Sequence, residues 1–350
     1  MFSNCKYRTK LQQSCQSRWR AHAIGWIIVT SGTINLGSMD RALVLSGGGS
    51  KGAFQYGALQ YILEYQAEGM WPSHYFRIIS GVSVGALNGV MLAQNRYTAM
   101  GQLWETIRPE DIYRGGLGVF SALWRMVSRR GALLDNTPLK ELIDRHVSLE
   151  AVDQENCDFM FGVVSAETGR YYHFHARDFN DDLQFRKGIL ASAAMPVLSP
   201  PVAEIITRSG EAYRRLVDGG IRNASPLREV IRQDPDEVVI INGNSPEWSP
   251  RGNAHSLEAA VRMWAEITLN ELFRQDVREF SHINGILQQL PPDFTVRKPN
   301  GTPLKAYRYV LIQPERDLGD ALDFSSENIH RYIQQGYQAA KQAYRQAGLA

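Results

Sequence analysis

The chain has 350 residues, of which 44% are hydrophobic and 21% are charged, a composition that excludes an intrinsically disordered or fibrous protein. The formal net charge is +2, but residues 1–38 carry five basic residues and no acid, which leaves −3 for the rest of the chain. We therefore expect no nucleic-acid partner, because binding to a phosphate backbone needs a concentrated basic face.

The first 38 residues are interpreted apart from the fold. Their apolar run, Ala23–Ile34, contains Gly25 and Gly32 and is shorter than the roughly 20 residues that a membrane-spanning helix needs. We interpret residues 1–38 as a basic N-terminal extension, either translated from a start codon mis-assigned upstream of Met39 or acting as a targeting segment. Residues 39–350 are predicted to form one domain.

The three cysteines indicate whether the protein lies in a reducing or an oxidising cellular compartment. Cys5, Cys15 and Cys157 form no Cys-x-x-Cys pair and show no spacing typical of metal ligands. We therefore expect no disulfide framework and no metal site, and we predict a cytoplasmic protein.

Two strand–turn–helix units follow Met39. Ala42–Leu45 is a short apolar run that predicts a buried strand, and Ala53–Tyr65 has helical spacing. The pattern repeats with a strand at Phe76–Ile79 and a helix of small residues at Ala86–Asn95. Two such units predict an α/β fold with a parallel sheet covered by helices. Further strands are predicted at 159–165, 171–174, 215–217, 237–241 and 307–312, and helices at 138–146, 256–283 and 326–347.

A glycine-rich turn follows the first strand, with the sequence Gly47-Gly48-Gly49-Ser50-Lys51-Gly52. Adjacent glycines let backbone N–H groups point into a concavity, and the N-terminus of the following helix adds partial positive charge. The turn is typical of an anion site, and three interpretations stay open: a nucleotide phosphate, the oxyanion of an acyl intermediate, or a purely structural turn. Its spacing is not that of a P-loop.

The second turn, Gly81-Val82-Ser83-Val84-Gly85, is a Gly-x-Ser-x-Gly motif between a predicted strand and a predicted helix. The glycines give room for a strained turn that lifts the Ser83 hydroxyl out of the sheet. The helix N-terminus then favours negative charge that develops on a substrate. This context predicts a nucleophile, and the alternative is a serine that caps the helix.

A serine nucleophile needs a base, which is a histidine or a carboxylate. Leu216-Val217 end a predicted strand and deliver Asp218 onto the glycine turn Gly219-Gly220. We expect Asp218 to be exposed at the edge of the sheet, where ligands of α/β folds bind. Taken alone, Asp-Gly-Gly is more often a simple turn than a functional site.

The three segments Gly47–Gly52, Gly81–Gly85 and Asp218–Gly220 resemble, in order, the oxyanion, nucleophile and Asp-Gly-Gly/Ala motifs of patatin-like phospholipases. Ala191–Pro196 resembles the Ala-Ser-x-Ala-x-Pro block of that family, and Gly131–Leu139 is similar to its Gly-Leu-x-Asp-x-x-Pro-Leu segment. The resemblance covers most of the chain from Met39 to about Gly336.

This resemblance implies a three-layer α/β/α fold with a mostly parallel central sheet and a Ser–Asp dyad without histidine. Carried over, Ser83 attacks an ester carbonyl, Asp218 accepts its proton, and the N–H groups of Gly48 and Gly49 bind the oxyanion. The implied substrate is a phospholipid or lysophospholipid ester at a membrane surface, which adds peripheral membrane contact to the predicted location. No metal or organic cofactor is implied.

Two other functions stay open. A catalytically silent module of the same fold would bind a lipid or a nucleotide, and an esterase for soluble esters would use a Ser–Asp–His triad. His255, His282 and His330 are the candidate histidines, because each follows Asp218 in the chain order of α/β-hydrolases.

Three further features have two interpretations each. Lys51 either steers an anionic head group or is a solvated residue at the helix start. His173 and His175 share one face of a predicted strand and are interpreted as partly buried rather than as metal ligands. Phe120, Leu123, Trp124 and Val127 form an amphipathic stripe that either packs on the core or contacts membranes.

Overall fold

A computed structural model describes residues 39–349 except 68, 115–133, 156, 248–256, 292 and 299–300, and for residues 257–262 and 265 it describes the backbone alone. Residues 39–350 form one compact unit. The predicted extension, residues 1–38, lies outside the described residues.

The described part of the chain contains eight strands and eleven α-helices. The strands are β1 Arg41–Leu45, β2 Ile78–Gly81, β3 Asp158–Ser165, β4 Tyr171–His175, β5 Val202–Ile206, β6 Ala212–Asp218, β7 Glu237–Ile241 and β8 Arg308–Ile312. The helices are α1 Gly52–Tyr65, α2 Pro72–Tyr75, α3 Val84–Ala93, α4 Tyr97–Thr106, α5 Pro109–Ile112, α6 Thr137–His146, α7 Leu149–Asp153, α8 Asp182–Ser192, α9 Leu227–Ile231, α10 Leu257–Gln288 and α11 Ser326–Gln346.

All eight strands belong to one sheet, which follows the hydrogen-bonded order β5-β6-β3-β2-β1-β7-β8, with β4 paired to β3. The run β3-β2-β1-β7-β8 is parallel throughout. Strands β4, β5 and β6 are joined by antiparallel pairing. The predicted mostly parallel α/β sheet is therefore confirmed.

Two strands share one edge of β3. Met160 and Phe161 lie in the stretch of β3 paired with both β4 and β2, whereas Val163 and Val164 pair with both β4 and β6. A strand has two edges, and the whole of β4 pairs with one edge of β3. The strands β2 and β6 therefore lie end to end on the other edge of β3. The residues after β2 therefore meet the last residue of β6.

Helices cover both faces of the sheet, as the side-chain alternation of β1 shows. Leu43 and Leu45 lie in a core that includes side chains of α1, α3, α8 and α11. Ala42 and Val44 lie in a second core with side chains of α9 and α10. Two apolar layers on opposite faces of one sheet make a three-layer α/β/α arrangement.

The first and last helices pack closely on each other at two glycines. A Cβ added at Gly57 in α1 would lie 1.9 Å from the carbonyl oxygen of Ile333, and one added at Gly336 in α11 would lie 1.9 Å from that of Phe54. Only glycine allows backbones to approach so closely. The last helix is thus fixed against the helix that follows the glycine-rich turn.

Most predicted elements occur with ends shifted by up to three residues, α10 ends five residues beyond its predicted end, and seven elements were missed. β5 was missed because it pairs only with β6 and alternates exposed and buried residues weakly. The helices α2, α4, α5, α7, α8 and α9 were also missed. Within the described residues, none of the helices combines the length and apolarity that crossing a membrane requires.

Candidate active site

The glycine-rich turn connects β1 to α1 through a backbone that only glycine adopts without strain. Gly48 has a φ of 149° and Gly49 a φ of 56°. A Cβ at Gly49 would lie 2.1 Å from the carbonyl oxygen of Ala321, which also accepts the Ser50 N–H at 2.8 Å. The segment before α11 therefore supports this turn from outside the strand–turn–helix unit.

The six residues of this turn differ in what their N–H groups do. Those of Ser50, Lys51 and Gly52 donate to backbone carbonyls. Those of Gly47, Gly48 and Gly49 donate to no acceptor within the part of the chain that the structure describes. The donors left for a bound anion are therefore at the three consecutive glycines.

Ser83 occupies a strained turn between β2 and α3. Its backbone has φ 58° and ψ −130°, a conformation that costs a non-glycine residue roughly 1–3 kcal/mol. Gly81 and Gly85 make the turn possible, since a Cβ at Gly81 would lie 2.2 Å from the Gly85 carbonyl oxygen and one at Gly85 would lie 2.3 Å from that of Leu45. The predicted strand–turn–helix context is confirmed.

Asp218 is the last residue of β6 and is 4% exposed. The expectation of an exposed carboxylate is therefore wrong. Gly219 packs on the backbone of Gly162, where an added Cβ would lie 2.5 Å from the carbonyl oxygen, and this contact closes the turn over the side chain. The end of β6 lies inside the sheet, because it continues the line of β2 along β3.

The Asp218 carboxyl group has two recorded partners. Its Oδ1 accepts the Gly220 N–H at 2.7 Å, and a hydrogen-bonding interaction links it to the Ser83 hydroxyl. Burial raises the pKa of Asp218 to about 6, although both interactions lower it. An acid with this pKa is ionised at neutral pH and a stronger base than an exposed aspartate.

Ser192 links the two turns and was not predicted as a site residue. Its fully buried hydroxyl accepts the Ser83 N–H at 3.2 Å and donates to the Gly162 carbonyl at 2.7 Å. Two residues further, the Ala194 carbonyl accepts the Asp218 N–H at 2.9 Å. The Ala191–Pro196 block therefore holds both residues, and its match to a family motif was the only sequence signal.

Ser83 and Gly49 line a cavity whose other walls are largely apolar. Its walls come from α3, α4, α5 and α6, with side chains that include Leu87, Met91, Leu103, Trp104, Leu139 and Ile143. Burial, together with nearby Arg145 and Arg96, lowers the pKa of the lining residue His146, so its imidazole is neutral at pH 7. Among the described lining residues none is charged at neutral pH, which suits a hydrocarbon chain.

The family model for patatin-like phospholipases matches residues 43–231, more than half of the chain. The chain belongs to the patatin-like phospholipase family. Membership supports lipid hydrolase activity and confirms the resemblance on which the sequence interpretation rests.

Three solved structures are among those that match this chain. VipD from Legionella pneumophila is 12% identical with a TM-score of 0.39, over 88% of this chain and 67% of that one. Human GIVD cytosolic phospholipase A2 is 10% identical with a TM-score of 0.40, over 88% of this chain and 60% of that one. The type III effector ExoU is 14% identical with a TM-score of 0.40, over 89% of this chain and 54% of that one.

This patatin-like chain thus spans 54 to 67% of the length of these three structures. A comparison with curated protein sequences gave no match.

Lys51 is neither solvated nor free to reach a head group. Its side chain is 3% exposed, its ammonium group donates to Asn244 at 2.9 Å, and the same group lies 3.7 Å from the Asp317 carboxylate. The solvated interpretation is therefore wrong. The contacts show a structural tie between the glycine-rich turn and the segments after β7 and β8.

No described histidine forms a hydrogen bond with Ser83 or Asp218. His282 and His330 are exposed on α10 and α11, and His255 lies outside the described residues. His173 and His175 are partly buried with ring centroids 5.7 Å apart, as predicted for one strand face. Among the described residues no group of three His, Cys, Asp or Glu side chains could hold a metal ion. The predicted stripe at 120–127 lies outside the described residues.

Proposed function

We propose that this protein hydrolyses carboxylic esters of phospholipids or lysophospholipids, with Ser83 as the nucleophile and Asp218 as the base. The observation that carries the proposal is the strained Ser83 beside a buried carboxylate whose pKa is raised to about 6. Family membership supports a lipid substrate, and the apolar cavity at Ser83 has room for an acyl chain.

In the first half-reaction Ser83 Oγ attacks the ester carbonyl carbon while its proton moves to Asp218. The negative charge on the carbonyl oxygen is bound by the N–H groups of Gly48 and Gly49, with Gly47 beside them. When the tetrahedral intermediate collapses, the ester C–O bond breaks and the alcohol leaves with the proton from Asp218. An acyl group then remains on Ser83.

In the second half-reaction a water molecule attacks the acyl-enzyme and gives its proton to Asp218. Collapse releases the fatty acid, and the proton returns to Ser83. No step uses histidine, since Ser83 and Gly220 are the recorded partners of the Asp218 carboxyl group. The reaction is written without a metal or an organic cofactor.

The reaction needs the substrate at a lipid surface, so we propose peripheral membrane contact by a catalytic domain that comprises residues 39–350. The two open alternatives differ from this proposal in one measurable property. A silent module has no activated serine, and a triad esterase needs one of its histidines.

The test is labelling with a fluorophosphonate probe, followed by hydrolysis of phosphatidylcholine and lysophosphatidylcholine with detection of released fatty acid. Wild type should label and hydrolyse lipid, and Ser83→Ala should lose labelling and on the order of 10⁴-fold or more in turnover. Ser80→Ala is the control, because the Ser80 hydroxyl is buried in β2 without a partner among the described residues. A folded wild type that fails to label would overturn the proposal.

A further inference from the structure

A second groove lies beside Asp218, separate from the cavity at Ser83. It runs between the β3–β4 hairpin and the segment after α8, and its lining includes Gly169, Val197, Ser199, Val217, Ile221 and Arg222. Val217 directly precedes Asp218 in β6. Tyr113 lines the first cavity and its hydroxyl lies beside Ser199, so a thin wall divides the two spaces.

Apolar side chains stand exposed at this groove. Val197 is 48% exposed and Ile221 is 37% exposed. Val197 also has a φ of 71°, which is an outlier for a β-branched residue. Hydrogen bonds fix its segment, since Ser199 donates to the Met195 carbonyl at 2.8 Å and Leu134 donates to that of Leu198 at 2.9 Å. The fold thus holds an apolar side chain outward at a cost in strain.

Three arginines lie at or next to the groove, and one of them, Arg222, lines it. Arg222 donates to the Gly169 carbonyl at 2.8 Å, Arg170 is the next residue of the same hairpin, and the Arg215 carbonyl accepts the Ala166 N–H at 2.8 Å. All three arginine residues are exposed, and none forms an ion pair with a described residue. One acid, Glu167, is exposed on the same hairpin, so this rim is positively charged.

The backbone of Arg215 has an unusual conformation. It has a φ of 48°, and neither Arg215 nor Ala203, which lies opposite it, forms a pair between Glu204–Arg214 and Val202–Leu216 of the β5–β6 ladder. Val197 lines the groove, and Arg215 lies two residues before Val217, which also lines it, so two non-glycine residues with positive φ lie at or next to this groove.

We propose that this face, defined by Val197, Ile221, Arg170, Arg215 and Arg222, docks the protein on a bilayer that contains anionic phospholipid. Apolar side chains beside arginines fit an interface whose surface is negative and whose interior is apolar. The inference rests on the proposed function, because the groove adjoins the base. The net charge of −3 outside the N-terminal extension makes this local positive rim distinctive.

The experiment measures co-sedimentation of the full chain with vesicles, in a Ser83→Ala background so that no lipid is consumed. The vesicles are phosphatidylcholine alone or phosphatidylcholine with phosphatidylglycerol. Each arginine near an anionic surface contributes roughly fivefold in partitioning, so Arg215→Gln with Arg222→Gln should weaken binding to the anionic vesicles about 30-fold. Added salt should weaken wild-type binding in the same direction.

A matched control removes the same charge elsewhere. Arg297 and Arg345 are exposed on segments that contribute nothing to the described lining of the groove. The pair Arg297→Gln with Arg345→Gln should bind like the background protein. Equal weakening by both pairs would show an effect of total charge only and would overturn the docking face.

A single variant, Arg170→Gln, guards against misfolding, because the Arg170 side chain makes no hydrogen bond to a described residue. It should weaken binding roughly fivefold. Val197→Ser should weaken binding to both kinds of vesicle, since it removes an apolar contact. If Val197→Ser instead dispersed a concentration-dependent dimer and left vesicle binding unchanged, the groove would belong to a second copy and the proposal would fail.

Hydrolysis of a soluble short-chain ester separates this inference from the proposed function. With Ser83 intact, the arginine variants should hydrolyse p-nitrophenyl butyrate at the wild-type rate and vesicle phospholipid more slowly. A wild type that hydrolyses no ester would refute the proposed function, while the vesicle result from the Ser83→Ala background would still decide the docking face.

Discussion

The proposed nucleophile and the proposed base are held in opposite ways. Ser83 lies in a strained backbone, is partly exposed, and faces a cavity. Asp218 is buried at the end of a strand, and its unusual property is a raised pKa rather than a strained backbone. The backbone turn at Ser83 therefore depends on close packing of glycines, whereas the raised pKa of Asp218 depends on exclusion of water.

Because of this difference, substitutions near Ser83 and substitutions at Asp218 should impair the site in different ways. Changes near Ser83 should disturb geometry and leave the titration of Asp218 in place. Changes at Asp218 should alter the protonation of the base and leave the backbone turn at Ser83 intact. The following predictions test that division, from the largest expected effect to the smallest.

Asp218→Asn should lower turnover on the order of 10⁴-fold, because the amide cannot accept the proton of Ser83. The same change should raise stability at pH 7. Between pH values near 3.8 and 6 the native state keeps a proton that the unfolded chain releases, so wild-type stability falls as pH rises through this interval. That difference in pKa corresponds to roughly 3 kcal/mol, which asparagine would recover.

Activity assays and thermal unfolding at pH 7 measure both effects on one protein sample. Ser83→Ala is the control for stability, since it removes the nucleophile and leaves the carboxylate buried. An inactive Asp218→Asn variant with unchanged or lower stability would contradict the claim that burial of this charge is costly.

Gly49→Ala should lower kcat roughly 10²–10³-fold, the loss expected when an oxyanion donor moves. The added Cβ would lie 2.1 Å from the Ala321 carbonyl oxygen, so the turn has to shift. Gly210→Ala is the matched control, because Gly210 also has positive φ, at 83°, but meets nothing within 4 Å. If both variants kept wild-type kcat, the glycine-rich turn would not bind the oxyanion.

The pH profile should report Asp218 directly. Because the base acts only when ionised, kcat/KM should fall about tenfold for each pH unit below about 6 and should be level above pH 7. The measurement is initial-rate hydrolysis of a soluble ester across this range. A profile still level at pH 5 would mean that burial does not raise the pKa of this carboxyl group.

Ser192→Ala should lower kcat roughly fivefold with KM retained, since one hydrogen bond worth about 1 kcal/mol fixes the Ser83 N–H. The rate of fluorophosphonate labelling should fall in the same proportion. Ser225→Ala is the control, because the Ser225 hydroxyl is buried without a partner among the described residues. Ser192→Thr, which keeps the hydroxyl, should restore part of the rate, and no recovery would argue for a packing role alone.

Local features of the site were predictable from the sequence, and long-range ones were not. Gly81 and Gly85 around Ser83 are required by backbone contacts within or next to a strand–turn–helix unit, so a short motif identifies them. The burial of Asp218 depends on the antiparallel pairing of β6 with β3 beyond the end of β2. The contact of Ser192 with Ser83 spans 109 residues of sequence and has no local pattern.

The same reasoning explains the error over Lys51. A lysine at a helix start is usually solvated, and only the positions of Asn244 and Asp317 make a buried one stable here. Those partners follow β7 and β8, far from Lys51 in the chain. The predicted fold class was correct despite such errors, because hydrophobic runs and turn glycines determine the sheet independently of any one ion pair.

The carbonyl of Ala321 has a consequence for synthesis on the ribosome. A nascent chain that has reached residue 218 already contains Ser83 and Asp218, but not the group that accepts the Ser50 N–H and packs on Gly49. Its glycine-rich turn lacks that support until residue 321 and the following helix have emerged and packed on α1. The order of translation therefore delays a competent oxyanion site until nearly the whole domain has been made.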